Sequence, residues 1–294
     1  NSLRLRLLLR IIKRDGEIDV KTQIRNLLLE PLKYPTFASN ADDAIFRYPG
    51  TYPFFNPFYN ARTLDWREGT YYTEFFINQL NAVQDPRLPI WAIPISVAGV
   101  PTFRGIKSGY PTTLEYVVGQ NSSYTDALKT LPQLGVMMSW SEVEFIKAEL
   151  ALNGFTTGKT VKAHYDAGIS GSIVQWGATV PAGFLAKKGV ALDETTSKDA
   201  QFQQIMLQKY FAYFFVDYQS WFEKIGRFLD KLGVPASRVI EKAFARWLAF
   251  KAIDQRDWVT EADWAKLQQE PVRARLLLRV MALIMLVLFI WAAL

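Results

Sequence analysis

The chain has 294 residues, 50% hydrophobic and 21% charged, a composition that excludes intrinsic disorder and is long enough for two domains or one large helical body. It contains no cysteine, which excludes disulfides, thiolate metal sites, a cysteine nucleophile and the lipid-bearing cysteine of a bacterial lipoprotein. The +6 net charge is uneven: residues 225–294 hold 11 Lys/Arg against 7 Asp/Glu (+4), leaving 23 against 21 (+2) for residues 1–224, so the front part lacks the basic stripe that nucleic-acid binding needs.

Asn1-Ser-Leu-Arg-Leu-Arg-Leu7 alternates leucine with charge and has no apolar signal-peptide core; with no initial Met, the chain reads as a fragment. Leu5, Leu8, Leu9 and Ile12 follow helical spacing and predict a helix over 2–14. A second is expected over 19–30, with Asp19 as N-cap, Ile24, Leu27 and Leu28 as the apolar stripe and Pro31 as the stop. Prolines then recur at 31, 35, 49, 53, 57, 86, 89, 94, 101 and 111 among Tyr, Phe, Asn and Gly. They preclude long helices except over Thr70–Ala82, and a long aromatic, irregular region of this kind is more often functional than accidental.

Helical signals return at Ser139–Asn153, where Ser139 or Ser141 can cap and Gly154 terminates. Residues 158–177 read as the antiparallel partner, with Tyr165, Ile169, Ile173 and Trp176 on one face and Gly177 at the end. Two amphipathic helices across a short Gly-containing turn make a hairpin of tetratricopeptide type. A further helix over Lys198–Lys224 carries Tyr210-Phe-Ala-Tyr-Phe-Phe-Val-Asp-Tyr-Gln-Ser-Trp-Phe222 and, apolar nearly all round, should be buried. Residues 225–275 are amphipathic and broken by Gly233-Val-Pro235. The nineteen residues 276–294 carry one charge, Arg279, and have the length of a transmembrane helix, with Arg273, Arg275 and Arg279 marking the cytoplasmic side. The expected fold is therefore mainly α: a tetratricopeptide-like helical scaffold (1–224) with long Pro- and aromatic-rich loops, an amphipathic segment (225–275) and one membrane helix (276–294).

Several segments, in order, resemble one family. These are Asn1-Ser-Leu-Arg-Leu-Arg-Leu7; Asp85-Pro-Arg-Leu-Pro-Ile-Trp91; Gly99-Val-Pro-Thr-Phe-Arg-Gly105; Met138-Ser-Trp-Ser-Glu-Val-Glu-Phe-Ile-Lys-Ala-Glu149; Tyr165-Asp-Ala-Gly-Ile-Ser-Gly-Ser-Ile173 with Gln175-Trp-Gly177; and Ile205-Met-Leu-Gln-Lys-Tyr-Phe-Ala212 with Ser220-Trp-Phe-Glu223. Together they are similar to the C-terminal part of SusD-like (SusD/RagB) nutrient-binding outer-membrane lipoproteins. The resemblance implies non-catalytic capture of oligosaccharide or another nutrient on the outward face of the outer membrane, without cofactor, for delivery to a SusC-like TonB-dependent transporter. It departs from the family pattern after Lys224. The stretch from Arg256-Asp-Trp-Val-Thr-Glu-Ala-Asp-Trp264 through the apolar span instead resembles the leader and inner-membrane helix of a type I secretion membrane-fusion (HlyD-like) adaptor. An adaptor fragment in the inner membrane is accordingly the alternative. The two resemblances assign opposite membranes, so the Lys224–Ile225 junction reads as a chimera, by natural fusion or by assembly.

Glycan capture needs flat apolar faces for the C–H side of sugar rings and amides or carboxylates for hydroxyls. The loop Tyr48–Tyr72 supplies both, with Tyr52, Phe55, Tyr59, Trp66, Tyr71 and Tyr72 as candidate ligand-binding rings among Asn56, Asn60, Asp65 and Glu68. The bland reading is that these rings pin the loop to the helices. Catalytic signals are weak. Gly154-Phe-Thr-Thr-Gly-Lys-Thr160 has three residues between its glycines rather than four and follows a helix, so it is expected to be a turn. His164 is expected on a helix surface without metal partners, and Glu142, Glu144 and Glu149 as exposed helix carboxylates. A hydrolase reading would rest on Asp65 or Glu68.

Overall fold

Helices form where apolar residues recur at helical spacing, and their first turns are closed by hydroxyl side chains. In the computed structural model, residues 1–62, 64–68, 70–107, 119–130, 135–216, 219–220 and 222–223 are described, and all belong to one compact unit, Asn1–Ser108 with Leu114–Phe228. The expected amphipathic segment 225–275, the span 276–294 and the junction at Lys224–Ile225 lie outside the described residues. Among the described residues no helix is long and apolar enough to cross a membrane.

The first expected helix is broken: α1 (Ser2–Arg10) gives way to a 3-10 turn (Ile12–Arg14) and the single turn α2 (Asp15–Ile18). Its Leu5, Leu8 and Leu9 are buried with Val20, Ile24 and Leu27 of α3 (Val20–Leu29). Asp19 precedes α3 in a left-handed conformation (φ 31°) and makes no capping bond; the Asp15 carboxylate instead accepts from Lys21 N at 2.6 Å. The proline-rich stretch contains mostly short elements. Strand β1 (Ala44–Phe46) pairs antiparallel with β4 (Gly135–Met138), and β2 (Ile95–Val97) with β3 (Val100–Thr102) form a hairpin. Helix α4 (Glu74–Val83) is shorter than expected because Thr73 starts it, its hydroxyl accepting from Phe76 N at 3.3 Å.

Between α4 and the single turn α5 (Leu88–Trp91) lies Asp85-Pro-Arg87, with Asp85 and Arg87 buried and Pro86 half-buried. The Arg87 guanidinium donates to both Asp85 oxygens (2.8 and 2.6 Å), to Ser172 Oγ (2.8 Å) and to Gln208 Oε1 (3.2 Å). This fork ties the turn to the helices that follow.

Those helices are α6 (Trp140–Leu152), α7 (Val161–Gln175) and α8 (Lys198–Ala212). The Ser139 hydroxyl accepts from Glu142 N and that of Thr160 from Ala163 N, at 3.2 and 3.1 Å. Helices α6 and α7 form the expected hairpin, and Tyr165, Ile169, Ile173 and Trp176 are all buried. The pair approaches closely because Gly168 and Gly171 of α7 lie against the Phe145 and Trp140 rings, where a Cβ would come within 2.9 Å. The Gly154–Thr160 segment is a turn with Gly154 and Gly158 at φ 85° and 83°, which favours glycine. Helix α8 stops at Ala212, short of the expected Lys224, because Tyr213–Val216 turns and Phe215 takes φ 59°. The aromatic run is therefore divided: Phe211, Tyr213 and Val216 are buried, whereas Tyr210 is partly exposed.

Two expectations are corrected. Glu142, Glu144 and Glu149 are buried, not exposed, because α1, α7 and α8 pack around α6 and cover its faces. Each carboxylate receives a partner from a neighbour. Glu142 takes Arg6 and the Tyr213 hydroxyl (3.0 Å), Glu144 takes His164 (2.8 Å) and lies 3.6 Å from Lys147 and Lys159, and Glu149 is 3.8 Å from Lys209. His164 is likewise buried rather than on the surface, its Nε2 2.9 Å from Thr157 Oγ1.

Candidate functional site

The loop Tyr48–Tyr72 is held from beneath by its own polar atoms. Asn56 is buried: its Nδ2 donates to Leu128 O at 3.1 Å, while its Oδ1 accepts from Phe58 N at 2.9 Å. Lys129 Nζ donates to Ala61 O at 2.7 Å and stands 5.9 Å above the Trp66 ring. The ion pairs Arg62–Asp65 and Arg67–Asp126 brace the exposed side.

Two of the six candidate rings are core residues. Trp66 is 4% exposed, donates from Nε1 to Thr125 O at 3.1 Å and lies 5.2 Å from both Phe58 and Tyr124. Tyr72 is 5% exposed, stacks on Phe76 (5.2 Å, 10°) and donates its hydroxyl to Trp91 O at 2.7 Å. Burial pushes the Tyr72 phenol well above its ordinary range. These two belong to an aromatic layer with Trp91, Trp176, Phe211 and Phe214, and they anchor the loop rather than offering a face to solvent. Tyr71 is half-buried, bridged to Ser123.

Two of the other three are exposed. Tyr52 is 86% exposed and Tyr59 46%. Phe55 is half-buried beside Tyr59, their rings parallel at 4.3 Å and 10°. Phe54 (59%) and Phe58 (36%) are also exposed, although neither was among the candidates. In an irregular segment no periodicity tells which of Phe54 and Phe55 points out. The Phe54 side is set by a tight turn, Phe54 N donating to Thr51 O at 2.7 Å. The outcome is an anchored loop that exposes Tyr52, Phe54, Phe58 and Tyr59, with Thr51 and Asn60 also exposed.

Asp65 accepts from Arg62 Nε and Nη2 at 2.7 and 3.0 Å, which holds its carboxyl below the usual range and therefore ionised. The Glu68 side chain lies outside the described residues. Among the described residues no cluster of three metal-ligating side chains occurs.

A family model, SusD-like_2, described as starch-binding and associating with the outer membrane, matches residues 1–227. The chain belongs to the SusD-like family. Its fold is that of solved SusD homologues. A chitin-binding homologue from Flavobacterium johnsoniae is 23% identical (TM-score 0.63), the match covering 76% of this chain and 49% of that one. A homologue from Bacteroides uniformis is 24% identical (TM-score 0.60; 76% and 50% covered), and one from Bacteroides fragilis 20% identical (TM-score 0.63; 80% and 54%). This SusD-like chain thus spans about half the length of those structures. No curated protein matches it.

Proposed function

We propose that this SusD-like chain is part of a non-catalytic carbohydrate-binding protein of the outer membrane. In this reading the exposed rings of the Tyr48–Tyr72 loop hold oligosaccharide, and the complete protein passes it to a SusC-like TonB-dependent transporter. The observation that carries the reading is the exposure of Tyr52, Phe54 and Tyr59, the last with its ring parallel to half-buried Phe55, on a loop tied down through Asn56 and Trp66. Aromatic faces held open on a fixed frame match the C–H faces of pyranose rings at little ordering cost. The family description as starch-binding and the chitin-binding homologue support a glycan as ligand. The outward-facing location and the transporter partner rest on the family resemblance.

Affinity electrophoresis through gels containing starch, chitin derivatives or other neutral polysaccharides tests this. Retardation by at least one polysaccharide, reduced by Tyr59→Ala and by Tyr52→Ala without a change in thermal midpoint, is expected. Unretarded migration of the folded chain in every gel would remove the reading. Assays for released reducing sugar should remain at background if the protein binds without turnover.

A further inference from the structure

A second aromatic surface lies next to this loop. A groove of about 470 Å³ runs beside the β1–β4 pair, lined by Phe46, Tyr48, Met137, Phe215 and Gln219 with Gly135 and Val136 of β4, a volume within the range of small-molecule sites. Phe46 is 53% and Met137 62% exposed, and the Phe46 and Tyr48 rings meet edge-on at 5.2 Å. The strands close up at its floor: a Cβ on Gly135 would lie 2.3 Å from Phe46 O. Phe215 holds a left-handed backbone (φ 59°) that aromatic residues rarely adopt. Its ring meets Phe58 edge-on at 5.6 Å, so groove and loop share one wall. The Gln219 carbonyl oxygen accepts from Arg10 Nη2 at 2.6 Å, which leaves the amide NH2 as its further donor. Among the described residues no charged side chain lines the groove.

We infer that this groove is a second sugar subsite, continuous through Phe58 and Phe215 with the Tyr52–Tyr59 surface, and that the ligand is a neutral oligosaccharide long enough to span both. The inference rests on the proposed function. Its chemistry follows from the described lining: rings and a thioether for C–H faces, one amide for hydroxyls, and no charged side chain, the Arg10 that donates to Gln219 being paired with Glu223 at 4.0 Å.

Calorimetric titration of the full chain with maltohexaose, chitohexaose, maltose and chitobiose tests it against Phe46→Ala, Phe46→Trp and Tyr59→Ala. Phe46→Ala should weaken the bound hexasaccharide about tenfold, the loss of one stacking partner, and leave its disaccharide unchanged. Phe46→Trp should retain hexasaccharide affinity, and Tyr59→Ala should weaken both lengths. Should Phe46→Ala fail to fold, the exposed Met137→Ala takes its place with the same expected length dependence. Wild-type binding that neither groove variant alters, or an oligogalacturonate bound as tightly as the neutral hexasaccharides, would overturn the subsite and leave the loop reading standing. Failure of the wild type to bind either hexasaccharide would overturn the loop reading and the subsite with it.

Discussion

Replacing Arg87 by Ala should be among the most damaging single substitutions in this chain. Its guanidinium and the Asp85 carboxylate are both fully buried, and Arg87 also donates to Ser172 and Gln208 and lies 5.5 Å from the Trp91 ring. Truncation would strand a carboxylate with no cation beside it and leave two further acceptors without this donor. Removing one member of a buried pair costs about 3–5 kcal/mol. For a body of this size each kcal/mol moves the thermal midpoint by about 2–4 °C, so a fall of about 6–20 °C is expected by circular dichroism. The double variant Asp85→Leu, Arg87→Met should recover much of that loss, because it removes both charges and keeps the volume. A single variant within about 1 kcal/mol of wild type, or a double variant less stable than the single, would refute the reasoning that the turn is fixed by a paired charge.

Further outcomes follow from the same packing. Gly168→Ala should cost about 1–3 kcal/mol, because its Cβ would press to 2.9 Å on the buried Phe145 ring; Gly16→Ala, with nothing within 4 Å, is the control and should be neutral or stabilising in urea denaturation. Tyr213→Phe removes the hydroxyl that donates to Glu142 and should cost about 1–2 kcal/mol by the same measurement. Burial opposes ionisation of Glu144, but the hydrogen bond from His164 and the charges of Lys147 and Lys159 outweigh it and hold the carboxyl below the usual glutamate range. A carboxyl depressed in the folded state stabilises it above the unfolded value of about 4.3 and loses that contribution as pH falls through the folded value. The urea midpoint should therefore fall more steeply in acid for wild type than for Glu144→Gln, and identical profiles would exclude this linkage.

The start of α6 was legible because a hydroxyl cap is a local signal: Ser139 closes it as its position before an apolar run suggests, whereas the expected Asp19 cap of α3 makes no capping bond. The α6–α7 hairpin was legible for the same reason, and so was the buried face of α7. The buried charges were not. Glu142 reads as surface until Arg6, 136 residues earlier, and Tyr213, 71 residues later, are brought to it. A helix packed on several sides carries its charges inward only when distant segments supply the partners, and sequence spacing holds no record of that. The end of α8 was missed because no glycine or proline marks the turn at Phe215, a position whose left-handed backbone sequence rules assign to glycine or asparagine. The candidate loop was legible as composition, an aromatic and amide-rich segment stiffened by proline. Which rings anchor and which face outward was not, since Trp66 and Tyr72 are committed inward by carbonyls of Thr125 and Trp91 that lie far along the chain.

The most direct test of sugar capture by this loop is a crystal structure of the chain with a bound neutral oligosaccharide. A pyranose lying with its C–H face on the Tyr52, Phe55 or Tyr59 ring is the predicted result. An oligosaccharide seated elsewhere, with these rings bare to solvent, would contradict it.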